Sequence, residues 1–164
     1  MVNIVLVEPR TSGNVGTIGR TIVALGGVLH LIRPYGWGND ISKKEVKKAG
    51  LDYWDKLEWY QYDSLEDFWA KNQINNRHFL ATTKTTTYYF DPKYEKDDFI
   101  YFGREDAGLP EDLLNNNKEK CINIPMVKEA RSLNIANSVS VIAYEVVRQN
   151  INKFYNNSNS KIII

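Results

Sequence analysis

Three clusters of polar residues, each beside an apolar run, stand where chemistry could be done. The first is Gly13-Asn14-Val15-Gly16-Thr17-Ile18-Gly19-Arg20. Backbone N–H groups at the start of a helix, with a guanidinium one or two turns further in, suit an anion such as a phosphate. The same glycines would also let a helix pack close to a sheet, and the sequence leaves both readings open. The second cluster is the tract Thr82-Thr83-Lys84-Thr85-Thr86-Thr87, which follows the apolar run Arg77–Thr82. Hydroxyl-rich tracts are often plain loops, but this one lies beyond a strand's C-terminal end, the ligand side of a parallel sheet. The third is Met126–Leu133, carrying Lys128, Glu129, Arg131 and Ser132 between the apolar run Cys121–Ile124 and a helix that begins at Asn134. A polar loop between a buried strand and a buried helix is a usual ligand site in α/β proteins. Alternatively, Ser132 and Asn134 only cap that helix.

The elements that must position these clusters are legible from patterning. Asn3–Val7 is a continuous apolar run, as expected of a strand buried on both faces. After the glycine-rich loop a helix runs to about Leu25, stopped by Gly26-Gly27, and Val28–Ile32 is the second strand. This strand-loop-helix-strand unit implies parallel pairing with a right-handed crossover. Trp59–Tyr62, Arg77–Thr82, Phe99–Phe102 and Cys121–Ile124 read as further strands. Ser64–Lys71 reads as a helix capped by Ser64, and Glu111–Leu114 as a short helix begun by Pro110. Ile135, Val139, Ile142 and Val146 recur at helical spacing in the last helix, with Arg148 in its final turn. Ser42-Lys43-Lys44-Glu45 is a capping box opening a short basic helix with Lys47 and Lys48, near Tyr35 and Trp37. Residues after Asn150 lose periodicity and read as a tail, so the expected division is a domain over 1–150 and a tail over 151–164.

Composition narrows the options. A chain of 164 residues is one domain's worth, and a net charge of +1 confines any nucleic-acid contact to a local patch. One cysteine, Cys121, permits no internal disulfide and no cysteine-based metal site, and with only His30 and His78 no metal is expected. His30 alternates within its strand, and both histidines read as structural. No signal peptide or long apolar run is visible, so the expectation is a soluble, cytoplasmic protein with no membrane partner. A nicotinamide dinucleotide is disfavoured: the glycines fall as GxxGxxG, and Arg33 stands where an acidic ribose-binding residue would end the second strand.

Three stretches in order carry a family resemblance. They are Asn14-x-Gly16-x-x-x-Arg20, then Phe102-Gly103-x-Glu105-x-x-Gly108-Leu109-Pro110, then Ile124-Pro125-Met126 with Arg131-Ser132-Leu133-Asn134. They resemble the signature motifs of the SpoU branch of the SPOUT RNA 2′-O-ribose methyltransferases. Gly50-Leu51-Asp52-Tyr53 and the ending Tyr144-Glu145-x-x-Arg148-Gln149 are similar to the type that methylates the wobble nucleotide of certain leucine tRNAs. One departure stands out: the family commonly has a second Asn where this chain has Thr17.

The resemblance implies a single-domain α/β fold, a mostly parallel sheet flanked by helices, whose C-terminal segment threads a loop as a deep trefoil knot. It implies S-adenosylmethionine as methyl donor and S-adenosylhomocysteine as product. By motif, the donor would be held at Ala81, Thr82, Thr83, Gly103, Ile124, Met126, Ser132 and Leu133, with Glu105 near its methionine amine, orienting the loop, or pairing with Arg131. It further implies tRNA as substrate and a homodimer in which the first motif of one subunit completes the other's site. Arg20 would act at the ribose, Asn14 would orient the ribose or Arg20, and Tyr144 either reaches toward substrate or serves the core or dimer interface. Arg20, Lys128 and Arg131 would grip RNA. A guanidinium keeps its proton, which favours Arg20 as phosphate anchor and alkoxide stabiliser over general base. A non-catalytic RNA-binding protein of the same fold, or a different RNA substrate, is the alternative reading.

Overall fold

The computed structural model describes residues 2–38 and 51–155. The capping box at Ser42–Glu45, its basic helix and residues 156–164 lie outside the described residues. Six strands, Asn3–Val7 (β1), Val28–Ile32 (β2), Glu58–Tyr62 (β3), His78–Ala81 (β4), Phe99–Phe102 (β5) and Cys121–Ile122 (β6), form one sheet in the order β3-β2-β1-β5-β4-β6. Every pairing is parallel. The helices are Ser12–Leu25 (α1), Leu65–Lys71 (α2), Glu111–Asn115 (α3), Ile135–Gln149 (α4) and Ile151–Tyr155 (α5), with 3-10 turns at Leu51–Lys56 and Lys118–Lys120.

Helices cover both faces of the sheet, so β1 and β2 are buried at every position. His30 therefore has no exposed face to alternate with. It is held neutral, its pKa lowered to about 4 by burial, between Tyr62 Oη (3.0 Å) and Asn3 Oδ1 (3.2 Å). His78 is likewise lowered to about 4, chiefly by burial, and its Nδ1 lies 2.6 Å from Tyr101 Oη. Cys121 is a buried free thiol, and burial pushes its pKa up.

Helix α1 begins at Ser12, so the glycine-rich stretch is helical rather than a loop. The physical reason is packing: Val15, Ile18, Ile22 and Leu25 share its buried face with Gly16 and Gly19. Burial of such side chains, worth about 1.5–3 kcal/mol each, outweighs the roughly 1 kcal/mol that a helical glycine costs. At Gly19 a side-chain carbon would come within 3.1 Å of both Leu57 Cδ2 and Trp54 Cζ3. This glycine lets the 3-10 turn Leu51–Lys56 dock on α1, so close packing is its role.

In α4 the predicted stripe Ile135, Val139, Ile142 and Val146 is buried, and α1 and α4 share one core. On the other face Phe68, Leu113 and Leu114 pack with Tyr101. Ser64 caps α2 as predicted, accepting from Asp67 N–H at 3.2 Å. The run Cys121–Ile124 pairs as a strand only over Cys121–Ile122, and Asn123 continues as an isolated parallel bridge to Tyr88. The first residues beyond Asn150, expected to be aperiodic, form the short helix α5. At the end of α4, Glu145 accepts from Arg148 Nε (2.7 Å) and Gln149 Nε2 (2.7 Å), and Gln149 Nε2 also donates to Pro92 O (3.1 Å). Among the described residues no helix is long and apolar enough to cross a membrane.

Candidate active site

The strand order reverses between β1 and β5, since β2 and β3 lie on one side and β4 and β6 on the other. In an open parallel sheet the crevice outside the carboxyl ends at such a point collects ligands. Here a cavity of about 530 Å³ opens at the carboxyl ends of β1, β4, β5 and β6 and against the start of α4. That volume suits a ligand the size of a nucleoside-based cofactor. All nine residues that the family resemblance assigned to a cofactor line it: Ala81, Thr82, Thr83, Gly103, Glu105, Ile124, Met126, Ser132 and Leu133. Its floor is apolar, from Phe102, Leu109, Ile122 and Ile142, and Thr82, Ser132, Asn134 and Ser138 supply hydroxyl and amide groups. An amphipathic cavity of this kind fits an aromatic base on one side and a polar amino-acid end on the other.

The loop after β5 doubles back tightly. Arg104 N–H donates to Gly108 O (3.1 Å) and Gly108 N–H to Arg104 O (2.8 Å). A Cβ on Gly103 would lie 2.0 Å from Gly108 C and 2.1 Å from Leu109 N, so only glycine permits this closure. The fold of the loop carries Glu105 to the start of α1. Its carboxylate accepts from Arg10 N–H (2.7 Å), Thr11 N–H (3.2 Å) and Asn14 Nδ2 (2.9 Å). The anion met by these N–H groups is thus the chain's own Glu105, and Glu105 does not pair with Arg131. Beside it Arg104 forks onto Asp106 (2.9 and 2.8 Å), which holds the Asp106 carboxyl down to about 2.

Asn14 passes the contact on. Its Oδ1 accepts from Asn134 Nδ2 (3.1 Å), and Asn134 Oδ1 accepts from Ala136 N–H (2.8 Å) as the cap of α4. The capping reading of Asn134 holds, and the same amide joins three loops at the rim of the cavity. Both ends of the Asn14 amide are engaged within the chain and tie parts of the rim to one another. No sequence spacing marks this link, because its members are 120 and 91 positions apart. The Thr tract is similarly fixed: Thr82 Oγ1 accepts from Lys84 N–H (3.2 Å), and Asn123 Nδ2 donates to Thr85 O (2.7 Å).

Asn14 and Arg131 join the nine at the cavity, whereas Arg20, Lys128 and Tyr144 do not line it. Arg20 is exposed on α1, with its guanidinium 5.2 Å from the centroid of the Tyr53 ring. Tyr144 is 52% exposed on α4, and Lys128 is exposed in the loop before it. Thr17 is also exposed and donates to Gly13 O (3.1 Å) in its own helix. Arg33, which argued against a dinucleotide, pairs with Asp63 at 2.5 Å.

The model of the SpoU rRNA Methylase family matches residues 1–144. A relative from Listeria monocytogenes serotype 4b that carries the name tRNA (cytidine(34)-2′-O)-methyltransferase is 42% identical over 151 residues, 90% of this chain and 87% of its own. A structure solved for the 2-OH methylation of C/U34 on tRNA is 36% identical, with a TM-score of 0.86 over 92% of this chain and 97% of that one. The methyltransferase AviRb from Streptomyces viridochromogenes, solved with the cofactor AdoMet, is 25% identical, with a TM-score of 0.75 over 91% of this chain and 57% of that one.

Proposed function

The chain belongs to the SpoU rRNA methylase family, and from that membership we propose that it is a tRNA 2′-O-ribose methyltransferase using S-adenosylmethionine. Its substrate in this reading is the wobble nucleotide, cytidine or uridine 34, of leucine tRNA. The observation that carries the proposal is the convergence of three loops, joined through Glu105, Asn14 and Asn134, on one amphipathic cavity at the carboxyl ends of the strands. The relatives named or solved for methylation at position 34 support the choice of nucleotide, and the AdoMet complex of AviRb supports the choice of cofactor.

Bound S-adenosylmethionine would supply an electrophilic methyl carbon on its sulfonium. The chain's own part is to orient that carbon and make a ribose hydroxyl nucleophilic enough to take it. Ile122, Ile124, Leu109 and Ile142 would bury the adenine and exclude water, while Thr82, Thr83 and Ser132 offer hydrogen bonds at the rim. Arg20 stabilises negative charge developing on the 2′ oxygen and anchors the adjoining phosphate, since a guanidinium is a donor and not a base. Lys128 and Arg131 extend the grip on RNA, and Tyr144 is exposed on α4.

Arg20 lies six residues beyond Asn14, which is about 9 Å along α1 and roughly a third of a turn off its direction. That separation supports a homodimer in which Arg20 serves the partner's cavity while Asn14 braces its own. The proposal includes a deep trefoil knot formed by the C-terminal segment, and a cytoplasmic location, where tRNA is found.

The test is to incubate the protein with S-adenosylmethionine and unmodified leucine tRNA and map ribose methylation by mass spectrometry. A methyl group at nucleotide 34, absent with Arg20→Ala at an unchanged melting temperature, is the expected result. Absence of methylation on every tRNA offered would overturn the proposal.

A further inference from the structure

Tyr53, in the stretch Gly50-Leu51-Asp52-Tyr53, has no part in the cavity, yet the fold fixes its position closely. Trp54 and Leu57 are buried against Gly19, where a side-chain carbon would already be within 3.1 Å of each. That docking sets Tyr53, the neighbour of Trp54, beside Arg20, the neighbour of Gly19. Tyr53 remains 41% exposed, with the Arg20 guanidinium 5.2 Å and the Lys56 ammonium 5.9 Å from its ring centroid. Both distances fall within the roughly 6 Å over which a ring attracts a cation. Two like charges thus converge on one exposed aromatic ring. Among the described residues no carboxylate pairs with Arg20 or Lys56, although Asp55 is exposed in the same 3-10 turn. Converging cations with no counter-charge among the described residues present a site for an anion, and a polyanion gains most there because its condensed counterions are released.

We propose that Arg20, Tyr53 and Lys56 form one binding site for a phosphodiester of the RNA substrate, a proposal that rests on the RNA methyltransferase reading. Lys56 contacts the phosphate directly. Tyr53 is a positioning residue: its ring holds the Arg20 guanidinium at a fixed place, so less freedom is lost when the phosphate arrives. The docked turn around Gly19 makes that placement part of the fold and not of a mobile side chain.

The test measures binding of unmodified tRNA to the full-length protein over a series of KCl concentrations, together with the KM for tRNA. Lys56→Gln is expected to weaken binding and to lower the slope of log K against log salt by about 0.7–0.9, the loss of one phosphate contact. Tyr53→Leu is expected to raise the KM for tRNA by about two- to five-fold, with Tyr53→Phe, which keeps the ring, close to wild type. Affinity for S-adenosylmethionine should not change in any of these variants. An unchanged salt slope in Lys56→Gln overturns the proposal, as does Tyr53→Phe being as impaired as Tyr53→Leu. Should Tyr53→Leu fail to fold, the exposed Lys56→Gln decides alone. Wild-type protein that binds tRNA, with the expected loss of salt slope in Lys56→Gln, but methylates none would sink the catalytic reading and leave this site standing. Wild-type protein that binds no tRNA would overturn both.

Discussion

Gly103→Ala puts a methyl group where the loop after β5 runs its own backbone, Gly108 and Leu109, against position 103. The new carbon would lie 2.0 Å from Gly108 C, 2.1 Å from Leu109 N and 2.3 Å from Gly108 O, against the 3.4–4 Å of ordinary contact. Its neighbours are main-chain atoms, so no rotamer change relieves the clash and the loop must move by more than an ångström. Such a shift breaks the pair of bonds between Arg104 and Gly108 (3.1 and 2.8 Å). Each is worth about 0.5–1.5 kcal/mol, and overpacking adds about 1–3 kcal/mol. The cost falls on the loop and not on the sheet, because Gly103 lies beyond the last residue of β5. Glu105 moves with the loop and loses its hold on Arg10, Thr11 and Asn14. The expected outcome is a folded protein whose affinity for S-adenosylmethionine falls by at least about ten-fold, the equivalent of roughly 1.4 kcal/mol. Isothermal titration calorimetry reads the affinity, and circular dichroism reads the fold. Wild-type affinity in a correctly folded Gly103→Ala protein would refute the argument that this closure shapes the site.

Two further perturbations separate causes that the structure combines. Asn134→Ala removes both the cap of α4, worth about 0.5–2 kcal/mol, and the bond to Asn14, whereas Asn134→Asp keeps the cap acceptor and loses only the donor. Thermal melts should therefore find Asn134→Asp more stable than Asn134→Ala, while cofactor titrations find both weakened; full affinity in Asn134→Asp would exclude the link to Asn14 as a support of the site. For pH, His30 and His78 sit near 4 when folded against 6.5 when unfolded, so the unfolded chain binds more protons between those values. Their contribution is fully present above 6.5 and is lost as pH falls toward 4, by about 2 kcal/mol for each histidine at pH 5. Urea unfolding followed from about pH 7.5 to about pH 5 checks this, and a flat stability over that range would contradict buried, neutral histidines.

The site combines rigid and open parts in a way that suits a large substrate. Glu105 fixes the start of α1 to the loop after β5, and Asn134 fixes the start of α4 to both. A rim already fixed within the chain loses little further freedom when a ligand arrives. Arg20, Tyr144 and Lys128, by contrast, stand on exposed surface where a polynucleotide or a second subunit has access.

Burial patterns are written locally, which is why the sequence alone determined most of the elements. The apolar runs Asn3–Val7, Val28–Ile32 and Phe99–Phe102 are strands with the predicted bounds, and the stripe Ile135, Val139, Ile142, Val146 is the buried face of α4. The Thr tract and the loop Met126–Leu133, which the sequence placed at a ligand site, do meet at one cavity. Tertiary structure decided what periodicity does not encode. The stretch from Gly13 to Arg20 reads as a loop by glycine count, yet it is helix because Gly16 and Gly19 are packed on its buried face. Its flanking N–H groups read as an anion site, yet Glu105, distant in sequence, meets them. Asn14 and Arg20 belong to one stretch of sequence, but the twist of α1 turns one to the cavity and the other to the surface. Contacts such as Glu105 to Asn14 and Asn14 to Asn134 depend on where three loops end after the sheet has assembled, and no spacing along the chain records that.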